Sequence, residues 1–186
     1  LPLATALPIA PGLSAGERFF LATFGVPPDA LRLQPAVHRL SCGAECRLAL
    51  QQAADAHPGR ILWIDGDLNV GADAPLTLGI AGAPMILVVN GNLNFASGST
   101  ATIYGLVYSR GTRLDATGAT GVTLHGAAIA EGDTTSTPAG HFEIIGAPQL
   151  FYDADLVSRA REIVARQVLD FGSFARVPGS WRDFGS

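Results

Sequence analysis

Lysine is missing from this 186-residue chain: all twelve of its basic residues are arginine. Charge of either sign is sparse, with a charged fraction of 15% and a formal net charge of −4. The arginines do not cluster, so the basic face that a nucleic acid requires is not there. The lack of lysine reads as genome base composition rather than function. Nor does any apolar run reach the roughly 18 residues needed to span a bilayer. Position 1 is Leu rather than Met, and the chain reads as an excised piece of a longer protein, with any membrane segment outside it.

Glycine is what the chain has in excess, at 22 residues. They follow no collagen period and lie among Val, Ile, Leu, Thr and Asn. With 48% apolar residues there is enough hydrophobic surface to offset the entropy of ordering, and one domain is expected at this length. Residues 1–16, rich in Pro, Ala and Leu, read as an extended lead-in or linker. Residues 17–60 read as a helical N-terminal cap. A short helix begins at Glu17 and ends near Gly25, and Pro27-Pro28 stops it. A second runs from about Gly43 to Ala56, with Cys46, Ala49, Leu50 and Ala53 on one stripe.

From Arg60 the texture changes. Ile61-Leu62-Trp63-Ile64-Asp65-Gly66 matches Ile86-Leu87-Val88-Val89-Asn90-Gly91 at a shift of 25 residues. Further copies start at Leu106, Ala127 and Gln149, at steps of 20 to 22. A second series interleaves: Thr77-Leu78-Gly79, Thr102-Ile103-Tyr104-Gly105, Thr123-Leu124-His125-Gly126 and Glu143-Ile144-Ile145-Gly146. Two registers drifting together near this period predict one repeating unit of short strands with Gly and Asn at corners. The fold expected is mostly β: a parallel, right-handed β-solenoid of four to five rungs over residues 61–152, flanked by helices.

In the first series Leu62, Leu87, Val107, Ala128 and Leu150 are expected inside, and Trp63, Val88, Tyr108, Ile129 and Phe151 outside. Both faces are apolar, so this sheet should be covered on its outer side as well. The covers expected are the helix near 43–56 and a C-terminal helix over 153–170, N-capped by Asp153. The latter's apolar stripe is Leu156, Val157, Ala160, Ile163, Val164 and Val168. Residues 171–186 form a tail in which Trp181 and Phe184 either staple to the body or dock a partner.

The strings beginning at Trp63, Ile86, Ile103 and His125, together with the ending Arg176-Val177-Pro178-Gly179-Ser180-Trp181-Arg182-Asp183-Phe184, resemble the extracytoplasmic modules of PilX-type, minor-pilin-like pilus assembly proteins. The resemblance spans about residues 60–184. It implies export through an N-terminal hydrophobic helix and a place in the periplasm, on a pilus or at the cell surface. It also implies pilus or envelope subunits as partners, and a non-enzymatic role in assembly or adhesion. It carries over no catalytic residue. Cys42-Gly-Ala-Glu-Cys46, the only cysteines, would form a short-loop disulfide in such an exported protein.

Beside this stand the residues that could carry chemistry. Asp65, Asp67 and Asn69 alternate like the start of a calcium loop, with Asp73 as a fourth oxygen donor, but the rest of the loop pattern fails at Val70 and Leu76. The alternative is that they cap backbone groups at a corner. Asp65, Asn90, Arg110, Glu131 and Asp153 fall at equivalent places in successive rungs and predict a polar ladder about 4.8 Å apart. That ladder is either a surface feature or one wall of a carboxylate groove for a polysaccharide, with Asp115, Glu131 and Asp133 as acids. The alternative function is accordingly a polysaccharide-binding or polysaccharide-cleaving β-helix. His38, His57, His125 and His141 have no zinc spacing, and His125 is expected to stack where Tyr104 sits one rung earlier.

Overall fold

The computed structural model describes residues 12–132 and 141–169. The first helix, α1 (Ala15–Phe24), opens with a capping box: Ser14 accepts from the Glu17 amide while the Glu17 carboxylate accepts from the Ser14 amide. Gly25 ends it in a left-handed conformation. Then α2 (Pro28–Arg32) starts on a proline, whose missing N–H costs nothing at that position. After β1 (Val37–Ser41), α3 (Arg47–Ala56) leads into the repeats.

The repeats supply β2 (Ile61–Asp65), β3 (Leu68–Val70), β4 (Leu76–Leu78), β5 (Met85–Val89), β6 (Leu93–Phe95), β7 (Thr100–Ser109), β8 (Arg113–Ala116), β9 (Gly121–Ala130), β10 (Glu143–Gly146) and β11 (Gln149–Tyr152). Helix α4 (Ala154–Val164) closes the described chain with a π-helical turn, Ala165–Leu169.

These strands wind into a β-solenoid of about four turns. One sheet runs β1-β2-β5-β7-β9-β11 with β4 beside β7, and the other runs β10-β8-β6-β3. Every pairing between named strands is parallel. Leu62, Leu87, Val107 and Ala128 stand in register, as do Trp63, Val88, Tyr108 and Ile129. Leu62, Leu87 and Val107 join Leu68, Leu78, Leu93, Ile103, Leu114 and Leu124 in the solenoid core, whereas Ala128, expected inside, is exposed at the last rung. The outward row forms a second core with Phe20 and Phe24 of α1, Leu31 of α2, and Ala160, Ile163 and Val164 of α4. The larger sheet is thus dry on both faces along β2, β5 and the second half of β7, as these doubly apolar strands require.

Four expectations need correcting. First, α3 does not cover the outer face: its Leu50, Ala53 and Ala54 belong to the inner core, so it plugs the first open end of the solenoid, and α1 takes the outer position instead. Second, the helical cap expected over residues 17–60 also holds a strand: β1 pairs with β2, Val37 opposite Ile61. Third, Gly105 and Gly126 are not corners. They lie inside the ten-residue strands β7 and β9 at φ +138° and +130°. A Cβ on either would run into the backbone of the neighbouring strand, Met85 for Gly105 and Gly105 for Gly126.

Fourth, the last turn is shifted by one element. Glu143-Ile144-Ile145-Gly146 pairs with β8, not with the Thr123 strand. Gln149–Tyr152 pairs with Thr123–Gly126, so Leu150 lies over Leu124 and Phe151 over His125. Both side chains are exposed. Residues 1–11, 133–140 and 170–186 lie outside the described residues, and with them Asp133, Trp181 and Phe184.

Candidate functional site: the polar rows of the solenoid

Where the first-series strands end, the parallel register stacks Ser41, Asp65, Asn90, Arg110 and Glu131 in one row. The row has two centres. Arg110 lies between its neighbours, donating from Nε to Glu131 Oε1 at 2.9 Å and from Nη1 to Asn90 Oδ1 at 2.9 Å. Tyr108 donates its hydroxyl to the same Glu131 oxygen at 3.2 Å. The Glu131 side chain is only 6% exposed, and the guanidinium sits 5.8 Å from the centre of the Phe20 ring. Burial first, then the Glu131 charge, pushes the Tyr108 hydroxyl well above the ordinary tyrosine range, so it remains a donor.

The second centre is Asp65. Arg32 grips it with two bonds, Nε to Oδ1 at 2.6 Å and Nη2 to Oδ2 at 2.7 Å. Trp63 Nε1 donates to Oδ1 at 2.8 Å and Arg39 Nη2 to Oδ2 at 3.3 Å. The Arg32 hydrogen bonds, with smaller help from Trp63 and Arg39, hold the carboxyl at a pKa of about 2 despite partial burial. Repeats cannot announce this cluster: Arg32 is 33 residues from its partner, outside the repeating region, and only its place on α2 beside β2 brings it in. Asp153 is not in the row. Its backbone N–H donates to Gly126 O, and its side chain caps α4 by accepting from Asp155 and Leu156 amides at 3.0 Å.

A second row crosses the smaller sheet on its outer face: Asn69, Asn94 and Asp115. Asn94 Nδ2 donates to Asn69 Oδ1 at 3.0 Å, and Asn69 Nδ2 donates to Gly43 O at 2.9 Å. Asp115 accepts from the Thr117 amide at 2.9 Å, and those bonds to Thr117 lower its pKa. With Arg113, Ser97 and Thr117 the row borders an open groove of about 420 Å³.

The proposed calcium donors do not come together. Both oxygens of Asp65 are taken by arginines, Asp67 Oδ1 accepts from the Asn92 amide at 2.7 Å, and Asn69 is bound into the amide row. Among the described residues no three His, Cys, Asp or Glu side chains form a metal-binding group. Of the two described acids of the glycosidase idea, Glu131 follows β9 of the larger sheet and Asp115 is on β8 of the smaller one.

Cys42 and Cys46 form a disulfide with Cα atoms 5.0 Å apart. It closes the loop that precedes α3 and covers the edge of β3, where the Cys46 amide donates to Asn69 O at 2.8 Å. His125 stacks on Tyr104, ring centres 4.7 Å apart and planes 10° apart, and on its other side lies Phe151 at 5.3 Å. His38 and His57 stack tilted at 4.2 Å, and burial, with lesser repulsion from His57 and Arg60, lowers the pKa of His38. No protein family, curated protein or solved structure matches this chain.

Proposed function

We infer that this chain is a non-enzymatic scaffold module of an envelope protein, serving pilus-associated assembly or adhesion in the manner of a minor pilin. One observation supports this reading above the others. The carboxylates that the rungs line up, Asp65, Asp67, Asp115 and Glu131, all accept hydrogen bonds from donors within the fold. Rows built this way stiffen and register a surface rather than poise an acid and a base for chemistry. The module would act outside the cytoplasm, where the Cys42–Cys46 bridge is compatible with the redox environment, and its partners would be other pilus or envelope subunits. Deletion of the parent gene tests the reading. Loss of surface pili and of twitching motility is expected; normal piliation and motility would overturn it.

A second reading, polysaccharide binding, is favoured by the groove along Asn69, Asn94 and Asp115, whose amide and carboxylate groups suit sugar hydroxyls. Calorimetric titration with purified surface glycans decides it. Heat that vanishes in Asn94→Ala would support binding there, and no heat with any glycan would exclude it.

A further inference from the structure

The larger sheet presents a strand edge at each end of the solenoid among the described residues. At the first end β1 is the outermost strand of the larger sheet. At the other end, β11 pairs with only the first half of β9, Thr123–Gly126, and the chain then turns at Asp153 into α4. The second half of β9, Ala127–Ala130, therefore has β7 on one side and no strand on the other among the described residues.

Hydrogen-bond direction is fixed by the repeat. Asn90, Arg110 and Glu131 each donate their backbone N–H back to the preceding rung, to Ile64, Val89 and Ser109 respectively. Ala130 stands in register with Ser109 and Ala128 with Val107. By the same alternation, Ala128 and Ala130 turn their N–H and C=O groups toward the open side. On β1 the complementary pair, Arg39 and Ser41, occupies the rows of Trp63 and Asp65, whose backbone groups turn toward the rung before.

We propose that the solenoid continues across molecules by head-to-tail stacking, with β1 of a second copy laid parallel on Ala127–Ala130 of the first. The row Val37, Ile61, Ile86, Leu106, Ala127 then repeats without a break. The Ser41 amide meets the Ala130 carbonyl, and Arg39 exchanges bonds with Ala128 and Ala130. The arriving Arg39 lies diagonal to Glu131, an opposite-charge pair across the seam. Apolar matching supports the same occupant. Leu33 and Leu48 are 70% and 52% exposed at the first end, and Ile144, Leu150 and Phe151 are about half exposed at the other. There, too, the inner core opens into an apolar cavity of about 120 Å³ bordered by Leu124, Phe142, Ile144 and Leu150. An incoming α3 would close it as α3 closes the first end of its own solenoid.

Cross-linking of single-cysteine additions tests the geometry. His38 and Ala128 share a row but stand four strand spacings apart within one chain, roughly 19 Å, too far for an intramolecular bridge. His38→Cys and Ala128→Cys chains, oxidised together, are expected to give the mixed dimer as the main product and little of either like-with-like dimer. Ala130→Pro in the Ala128→Cys chain should abolish that dimer without changing circular dichroism, since it removes only an outward-turned N–H. Like-with-like dimers in equal yield, or monomers alone at the highest soluble concentration by light scattering, would overturn the proposal. It stands apart from the pilus reading, which fails in the deletion strain and not in the cross-linking reaction.

Discussion

Asp65 is the residue on which most of the first rung's polar contacts converge, and its titration has a definite sign. Its carboxyl has a pKa of about 2 in the fold, against an ordinary 3.8, so the folded state binds its proton less readily than the unfolded chain does. Its contribution to stability is therefore complete above about pH 4 and is lost as the pH falls toward 2. Asp65→Asn should lower stability by on the order of 1 kcal/mol at pH 7, because one of the two Arg32 bonds meets an amide donor instead of an acceptor. Its urea midpoint should then converge on that of the parent as the pH drops below 3. Midpoints that run parallel down to pH 2 would show that Arg32 gains nothing from the charge. The aspartate was visible in the sequence as a repeat position, while Arg32, Arg39 and the Trp63 indole were not visible as its partners. A repeat shows which residues share a row; it says nothing about a donor that arrives from a helix outside the repeat.

At the scale of elements, packing decided what spacing left open. The rows of Leu62, Leu87 and Val107 were legible because parallel strands in register force like residues over like. The last turn was not. Glu143–Gly146 has an aliphatic second residue and a closing glycine, as Thr123–Gly126 does, so the pattern cannot say which neighbour it pairs with. Strand β1, with alternating Val37, Arg39 and Ser41, matches no repeat copy and stayed hidden. Helix α3 showed its apolar stripe but not the surface it would meet.

Three substitutions probe the elements directly. Gly105→Ala should destabilise by several kcal/mol, since the added methyl meets the Met85 carbonyl inside a continuous sheet at positive φ. Gly82→Ala, where a Cβ meets nothing within 4 Å, should melt within a degree or two of the parent. Equal melting points for the two would disprove the close approach of β5 and β7. Val88→Asp places an unpaired charge in the outer core among Phe20, Trp63 and Tyr108, and should cost several kcal/mol by chemical denaturation. A change below 0.5 kcal/mol would mean that α1 and α4 do not seal that face.

The whole molecule is a four-turn coil wrapped on one side by helices, and this arrangement sets the path of mechanical tension. The described chain enters through α1 and leaves through α4, both packed on the outer core of the larger sheet. The exit is held near the entrance to the first rung, where Gln167 Nε2 donates to Gly59 O at 2.8 Å. A pull between Ser14 and Gln167 would thus work against helix-on-sheet contacts, peeling α1 and α4 away before any rung is strained. The coil itself, joined by parallel backbone ladders and closed at its first turn by the Cys42–Cys46 loop, lies off that path. Stretched in a force spectrometer, such a protein would lengthen first by releasing its helices, while the faces that carry the polar rows keep their shape under load.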